Sequence, residues 1–216
     1  MFLRLISRIF AYTLVAIATP TQAVSQINTI LVLGDSISAG YGIPPGSGWV
    51  SLLQQELATD SADACCTVIN ASISGETTGG GAARLPRLLE EHQPDLVILE
   101  LGGNDGLRGY PLKNTRNNLE TIIETSKAQG AKLLLAGMKI PPNYGRRYSE
   151  GFHQIYYELA EVHDIALIPF LLEGVAGNSA LMQIDDIHPR AEAQAQLLGN
   201  VKQVLDPFLP GAAKLD

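Results

Sequence analysis

The sequence has little cysteine, since Cys65 and Cys66 are the only two among its 216 residues. A disulfide between neighbouring cysteines closes a strained ring, so we do not expect a stabilising internal bridge. One of them could pair between chains in an oxidising compartment, but the simpler interpretation is two small apolar side chains at the start of a strand. The four histidines stand apart from one another, so the sequence offers no metal-binding spacing.

An excess of basic residues is also missing. The formal net charge is −7, and an acidic chain without a basic stripe is a poor candidate for nucleic-acid binding. Aromatic residues make up only 6% of the chain and apolar residues 46%, a balance typical of a compact α/β protein. The length suits a single domain with one hydrophobic core.

The one candidate for a membrane segment is too short to span a bilayer. Residues 9–18 form an apolar run of about half the ~20 residues that a spanning helix needs. Arg4 and Arg8 precede this run and small residues follow it, which is the pattern of a secretory signal peptide. We therefore predict a cleaved signal over residues 1–23, a single domain over residues 24–216, and a periplasmic or secreted protein without a stable membrane anchor.

Short apolar runs alternate with longer amphipathic ones along the rest of the chain. The short runs lack polar alternation, as expected of parallel strands buried on both faces. Alternation of strand and helix implies right-handed crossovers and a doubly wound α/β sheet with helices on both faces. We predict strands over residues 29–33, 67–71, 95–101, 132–137 and 165–169, helices over residues 49–58, 81–92, 115–129 and 147–163, a loop over residues 141–147, and a last helix that starts near Pro189.

Ser36 lies in a tight turn between the first strand and a helix. Ligands bind beyond the carboxyl ends of the strands in such a sheet, and a serine there exposes its hydroxyl. Its N–H lies at a helix N-terminus, where free donors point outward. An ordinary N-cap serine explains the same position, and the turn lacks the Gly-x-Ser-x-Gly pattern because Ser38 stands two residues on.

His188 is a candidate base for that hydroxyl. A serine hydroxyl is a weak nucleophile near neutral pH and needs an adjacent base, usually histidine. Asp185 precedes His188 by three residues, a spacing that lets a carboxylate reach the imidazole N–H and fix its tautomer. A cluster of residues at the start of a helix opened by Pro189 is the alternative interpretation.

Gly75 and Asn104 are candidate donors to a developing oxyanion. Gly75 has no side chain and can bring its N–H close to a substrate, while Asn104 can offer its side-chain amide. A plain turn glycine and a plain polar loop explain the same residues.

Together these segments resemble the SGNH, or GDSL, hydrolase family, which they match in order: Gly34-Asp35-Ser36, Gly75, Asn104 with its neighbours Gly103 and Asp105, and Asp185-x-x-His188. The likeness is strongest to bacterial enzymes described as acyl-CoA thioesterases, lysophospholipases and arylesterases. It extends from residue 27 to the last helix and includes four longer segments, GDSISAGY (34–41), NASISGET (70–77), LELGGNDGLRG (99–109) and PNYGRRY (142–148).

The resemblance implies a three-layer α/β/α, flavodoxin-like fold with a five-stranded parallel sheet. It implies that Ser36 is the nucleophile, that His188 is the general base and then the acid, and that Asp185 orients His188. The N–H groups of Ser36 and Gly75 and the amide of Asn104 would form the oxyanion hole. The expected reaction is hydrolysis of small acyl esters or thioesters through an acyl-enzyme, without metal or cofactor and by a monomer.

The sequence departs from the family pattern at two places. Asp186 stands where a related enzyme has glycine, so it could compete with Asp185 for His188 or raise the local negative charge. The stretch over residues 59–66 is longer than its counterpart, and the paired cysteines have no clear match there. We do not expect either departure to abolish catalysis.

The substrate is less well defined by the sequence. The loops over residues 106–112 and 141–148 are the expected walls of an acyl groove, lined by Leu107, Tyr110 and Ile140, although ordinary loop packing explains the same residues. A carbohydrate acetylesterase is an alternative function, disfavoured because Trp49 is the only tryptophan. A non-catalytic acyl-lipid carrier is another, disfavoured by the complete Ser, His and Asp set.

Overall fold

Five short apolar segments form one parallel sheet in the structure, a computed structural model that describes residues 27–59 and 66–209. The strand order is β2-β1-β3-β4-β5, and every pair of neighbours is parallel. Each strand end lies within one residue of the prediction. The strands are β1 (Thr29–Gly34), β2 (Thr67–Asn70), β3 (Leu96–Glu100), β4 (Lys132–Ala136) and β5 (Ala166–Ile168).

Strands β1 and β3 lie in the interior of the sheet and belong to the hydrophobic core. All of β3 is buried, as is β1 from Ile30 onward, because helices cover both faces of the sheet. Continuous aliphatic runs are what such strands require. The register of the two strands places Gly34 opposite Glu100, and this pairing lies directly beneath the turn that carries Ser36.

Helices form a layer on each side of the sheet. Helices α2 and α7 pack against each other, whereas α5 packs against both α3 and α6. The three-layer α/β/α fold with flavodoxin-like strand order is therefore confirmed. The helices are α1 (Ser36–Ala39), α2 (Trp49–Thr59), α3 (Thr78–His92), α4 (Gly103–Leu107), α5 (Leu112–Ala128), α6 (Arg146–His163) and α7 (Gln194–Leu205).

The prediction for the start of the last helix is wrong. Helix α7 begins at Gln194, after a 3-10 turn over Ala191–Ala193. Pro189 instead pairs with Met182 in an antiparallel bridge, and the side chain of Gln183 donates to the Pro189 carbonyl (3.1 Å). These contacts hold the backbone extended just after His188, so that the helix starts later.

Helix α3 begins three residues before the predicted start. The Thr77 side chain caps it by accepting a hydrogen bond from the Gly80 N–H (3.2 Å). The glycine run hides this start because glycine has a low helix propensity. Gly81 has a packing role, since a Cβ there would lie 2.3 Å from the Leu101 side chain. The predicted loop over residues 141–147 also contains a 3-10 turn, Pro142–Tyr144.

Cys66 is disulfide-bonded, which contradicts the interpretation of both cysteines as unpaired apolar side chains. Cys65 and the predicted signal peptide lie outside the described residues. Within residues 27–59 and 66–209, no helix combines the length and the apolar character that crossing a membrane requires.

Candidate active site

The strand order identifies one crevice at the carboxyl edge of the sheet. The chain leaves β1 for β2 on one side and returns to β3 on the other, so the crossovers diverge between β1 and β3. Open α/β sheets bind ligands at such a point. Ser36 follows β1 and Asn104 follows β3, which places both predicted residues there.

Ser36 is the first residue of the short helix α1. Asp35 caps this helix by accepting a hydrogen bond from the Ile37 N–H on its carboxylate (3.0 Å), and Gly40 ends it in the left-handed conformation (φ 74°). The Ser36 N–H has no intrahelical acceptor because it belongs to the first turn. The N-cap is thus Asp35 rather than Ser36, and the serine hydroxyl is left for another contact.

The hydroxyl of Ser36 is hydrogen-bonded to the imidazole of His188. Ser36 Oγ lies 2.9 Å from His188 Nε2, and His188 Nδ1 lies 2.7 Å from Asp185 Oδ2. The fold brings the serine and the histidine together across 152 positions of the chain. A base in contact with a hydroxyl, and a carboxylate behind that base, is an arrangement that activates a nucleophile.

Asp185 also organises its own turn. Its Oδ1 accepts from the N–H groups of Ile187 and His188, both at 3.0 Å. Burial acts to raise the pKa of Asp185, but the hydrogen bonds from His188 and Ile187 and the charge of the imidazole outweigh it and lower the pKa to about 2. Asp185 is therefore ionised at neutral pH and can support a positive charge on His188.

Asp186 occupies a left-handed position with φ 56°. Aspartate is among the residues that tolerate this region, which glycine adopts freely. The carboxylate that bonds the ring of His188 is that of Asp185. The substitution of a glycine by Asp186 is thus accommodated by the backbone.

Tyr41 and Gln183 contact His188 as well. Sequence reasoning assigned neither residue a role in the site. The rings of Tyr41 and His188 are 4.5 Å apart at a tilt of 42°. Gln183 donates its side-chain amide to the Tyr41 carbonyl (2.8 Å) and its N–H to the His188 carbonyl (2.7 Å). The Tyr41 ring therefore packs against the imidazole, and Gln183 fixes the backbone of His188.

Asn104 points its amide into the same crevice. Its Nδ2 donates to Asp35 Oδ2 at 3.0 Å, which uses one of the two amide hydrogens and leaves the second for a ligand. Asp35 is nearly fully buried. Burial raises its pKa to about 6, against the lowering effects of the Ile37 N–H, His188 and Asn104.

Gly75 lies in the loop that follows β2. The Glu76 N–H donates to the Ile73 carbonyl (3.1 Å), closing a turn whose third residue, Gly75, has φ 79°. Glycine is favoured in that conformation. Arg108 donates to the Gly75 carbonyl (3.1 Å), so the peptide between Gly75 and Glu76 is held in one orientation. Arg108 was not predicted from the sequence.

A buried carboxylate joins the loops of Gly75 and Asn104. Asp105 accepts from the N–H (2.9 Å) and the hydroxyl (2.5 Å) of Thr78, at the start of α3. Asn118 on α5 donates to the same hydroxyl (3.0 Å). The segments that carry the two predicted donors are therefore fixed to each other as well as to the sheet.

The three predicted substrate-binding residues lie in different environments. Leu107 is half-buried and Tyr110 is 41% exposed, whereas Ile140 is buried against Gly106, where a Cβ would lie 2.6 Å from its Cγ2. The two expected walls are joined by the Tyr144 and Tyr148 hydroxyls, which donate to the carbonyls of Leu107 (2.8 Å) and Tyr110 (2.6 Å).

Trp49 is not part of the crevice. Its side chain is fully buried in the core, and its backbone N–H donates to the side chain of Gln194 (2.9 Å). It cannot form the aromatic edge that a sugar site would need.

One group of metal-ligand types occurs among residues 27–59 and 66–209, namely Glu120, Glu124 and His163. It lies on helices α5 and α6, and Glu120 already contacts Arg116 (3.0 Å) and His163 (3.4 Å). This group is not connected to Ser36.

The profile of the GDSL-like Lipase/Acylhydrolase family matches residues 32–196. Esterase TesA of Pseudomonas aeruginosa is 51% identical over 87% of this chain and 92% of its own length. The arylesterase of Vibrio mimicus is 45% identical over 94% of this chain and 98% of its own. Thioesterase 1/protease 1/lysophospholipase L1 of Escherichia coli is 44% identical over 88% of each chain.

A solved structure is similar over the same region. The crystal structure of TesA gives a TM-score of 0.81 at 51% sequence identity, covering 84% of this chain and 100% of that chain. The family segments and the fold thus agree over the part of the chain that carries the crevice.

Proposed function

Since the chain belongs to the GDSL-like lipase/acylhydrolase family and is a carboxylic-ester hydrolase, we propose that it cleaves acyl esters and thioesters with Ser36, His188 and Asp185 as catalytic residues. The observation that carries this proposal is the continuous set of contacts from Ser36 Oγ to His188 Nε2 (2.9 Å) and from His188 Nδ1 to Asp185 Oδ2 (2.7 Å).

The reaction has two acyl-transfer steps. Ser36 Oγ attacks the carbonyl carbon of the substrate while His188 Nε2 takes the hydroxyl proton, and the carbonyl π electrons move onto oxygen. The tetrahedral intermediate then expels the alcohol or thiol, which takes the proton from His188, and an acyl-serine remains. Water attacks this ester with His188 again as base, and collapse releases the carboxylic acid and regenerates Ser36.

The negative charge on oxygen needs prepared donors. We assign this role to the N–H groups of Ser36 and Gly75 and to the second amide hydrogen of Asn104. The hydrogen bond from Asn104 to Asp35 supports the assignment because it fixes one donor before a substrate arrives. The hydrogen bond from Arg108 to the Gly75 carbonyl fixes the peptide that directly follows the Gly75 N–H.

We propose aryl esters, acyl-CoA and lysophospholipids as the substrate class. This choice is supported by the relatives, which are named as an esterase, an arylesterase and a thioesterase 1/protease 1/lysophospholipase L1. Leu107 and Tyr110 would contact the acyl chain, whereas Ile140 is buried beside Gly106 and would support the wall rather than line it. A surface hollow of about 680 Å³ lies next to these loops and is lined in part by Leu112, Tyr144 and Tyr148. We propose that it binds the far end of the acyl chain of the substrate.

A panel of substrates tests the reaction and its chain-length preference together. Nitrophenyl esters, acyl-CoA thioesters and lysophospholipids of graded acyl length are offered to the wild type and to Ser36→Ala. We expect Ser36→Ala to lose hydrolysis of every class while it stays folded. Leu107→Ala and Tyr110→Ala should shift the preferred length without affecting acetyl esters; an unchanged length profile would remove both residues from the acyl site.

We also propose that the chain is exported with cleavage after Ala23 and acts as a monomer on small substrates. N-terminal sequencing of the exported protein tests the cleavage position, and light scattering tests the mass. Recovery of the protein with residues 1–23 still attached would contradict the export proposal.

A further inference from the structure

Glu100 is a buried acid that the reaction above does not use. It is the last residue of β3 and its exposed surface is 0%. Its Oε2 accepts a hydrogen bond from the Asp35 N–H (3.1 Å) and another from the Ser38 hydroxyl (2.7 Å). Its Oε1 is also buried and has no hydrogen-bond partner among the described residues.

The two contacts of Glu100 lie on either side of Ser36. One comes from the residue before the serine and the other from two residues after it, so a single oxygen holds both ends of the turn. Gly34 provides the room for this carboxyl, because a Cβ there would lie 2.7 Å from Glu100 Oε2 and from the Ser38 Cβ. The glycine and the glutamate are paired in the register of β1 and β3.

Asp35 extends this contact to the oxyanion donors. Its backbone N–H is fixed by Glu100, while its carboxylate accepts from the Ile37 N–H (3.0 Å) and from the Asn104 amide (3.0 Å). A change in the position of Glu100 would therefore move Ser36 directly and Asn104 through Asp35.

The surroundings of Glu100 disfavour its charged form. Asp35, from the turn that carries Ser36, and the phenol of Tyr156, from α6, lie near Glu100. Asp105 of α4 and His188 lie near Asp35. An ionised carboxyl without a paired cation is unfavourable in such a place. Burial, together with the neighbouring Asp35 carboxylate, holds the pKa of Glu100 well above its ordinary value. In the neutral acid, Oε2 is the carbonyl oxygen that accepts both hydrogen bonds.

We propose that Glu100 is a positioning residue which, as a neutral carboxylic acid, fixes the turn of Ser36 and, through Asp35, the amide of Asn104. This inference rests on the proposed function, because it requires Ser36 and Asn104 to act in the reaction.

Two variants separate geometry from charge. Glu100→Gln keeps the carbonyl acceptor and replaces the acid O–H by an N–H₂, so it mimics the neutral form. Glu100→Leu has a comparable shape but no acceptor. A displacement of about 1 Å in an active site can cost 10²-fold in rate. We therefore expect Glu100→Leu to lower kcat by about 10²-fold with KM nearly unchanged, and Glu100→Gln to keep the wild-type kcat from pH 7 to 9.

Variants at two buried serines provide a second test if Glu100→Leu does not fold. Ser38→Ala removes one of the two contacts, and Ser126→Ala removes a buried hydroxyl that bonds the Ile122 carbonyl within α5 (2.9 Å). Only Ser38→Ala should lower kcat. It should add little when combined with Glu100→Leu, because both changes remove the same hydrogen bond.

The outcomes distinguish this inference from the proposed function. Activity in Ser36→Ala would refute the proposed function itself. With Ser36→Ala inactive, an unchanged kcat in Glu100→Leu and Ser38→Ala, or an effect on KM alone, would overturn the positioning role. A Glu100→Gln enzyme as slow as Glu100→Leu would overturn the neutral form.

Discussion

A hydrogen bond of 3.0 Å joins the side-chain amide of Asn104 to the carboxylate of Asp35, across 69 positions of the chain. It links the turn after β1, which carries the proposed nucleophile, to the turn after β3, which carries a proposed oxyanion donor. Asp35 also caps α1 through the Ile37 N–H (3.0 Å). One carboxylate therefore sets the relative position of two parts of the site.

Asp35→Asn should slow the reaction without unfolding the protein. Asparagine has one acceptor oxygen where aspartate has two, so either the cap on Ile37 or the bond to Asn104 is lost. Misplacing an oxyanion donor should lower kcat by roughly 10²-fold. Steady-state kinetics on a nitrophenyl ester measures this.

Asp95→Asn is the matched control for that change. The Asp95 carboxylate also accepts two hydrogen bonds, from the N–H groups of Asn28 and Thr29 (2.8 and 3.0 Å), but at the opposite edge of the sheet. Both hydrogen bonds end on Asp95 Oδ2, so the single amide oxygen of asparagine can accept them, and Asp95→Asn should leave kcat unchanged. Equal losses of kcat in both variants would mean that the effect of Asp35 is a general effect on the fold.

Asp185 and Asp186 should differ sharply in their effect on turnover. Asp185→Asn removes the carboxylate that bonds His188 Nδ1 and should lower kcat by about 10⁴-fold. Asp186→Gly should leave kcat near the wild-type value, because its φ of 56° suits glycine. Kinetics of the two variants decides which aspartate orients the histidine, and a larger loss from Asp186→Gly would reverse the assignment.

Gly75→Ala should separate backbone strain from catalysis. A Cβ in the left-handed conformation at φ 79° costs roughly 1–2 kcal/mol, and relief of that strain rotates the peptide whose N–H is proposed to meet the oxyanion. Gly130→Ala carries a similar strain at φ 84°, with no heavy atom within 4 Å of the new Cβ. Denaturation should show similar losses of stability, whereas only Gly75→Ala should lose kcat. Unchanged turnover in Gly75→Ala would remove its N–H from the oxyanion hole.

Stability should depend on Asp185 in acid. Its pKa is lowered in the fold from 3.8 to about 2, so the folded state binds its proton less readily than the unfolded chain does. The stabilisation is complete above the unfolded value and is lost as the pH falls through the folded value. The difference in urea midpoint between the wild type and Asp185→Asn should shrink between pH 5 and pH 2. A constant difference would contradict the lowered pKa.

Strands β1, β3 and β4 could be predicted because they are nearly continuous aliphatic runs, as expected of strands buried on both faces. The expectation of burial on both faces is wrong for β2, which is partly exposed at the edge of the sheet. The start of α7 could not be predicted, because Pro189 favours a helix locally but is held by Met182 and Gln183 in the folded chain. Contacts with residues outside the local helix signal therefore determine where α7 begins.

The predicted Ser36, Asp185 and His188 came into contact, yet several supporting residues went unnoticed. Tyr41 and Gln183 are 142 positions apart, and no local pattern indicates that they meet beside His188. Arg108 looks like an ordinary exposed loop residue until its bond to Gly75 is seen. Glu100 lies in the apolar run that predicted β3. A charged residue at the end of a buried strand was the one sequence feature that could have indicated its role.

Covalent labelling tests the central claim most directly. The wild type, Ser36→Ala and His188→Ala are treated with a fluorophosphonate, and intact mass and peptide mapping locate the adduct. We expect one adduct, on Ser36, none in Ser36→Ala, and much slower labelling in His188→Ala because the hydroxyl lacks its base. A wild type that hydrolyses esters but is labelled at another residue, or a Ser36→Ala protein that is labelled equally, would contradict the assignment of Ser36 as the nucleophile.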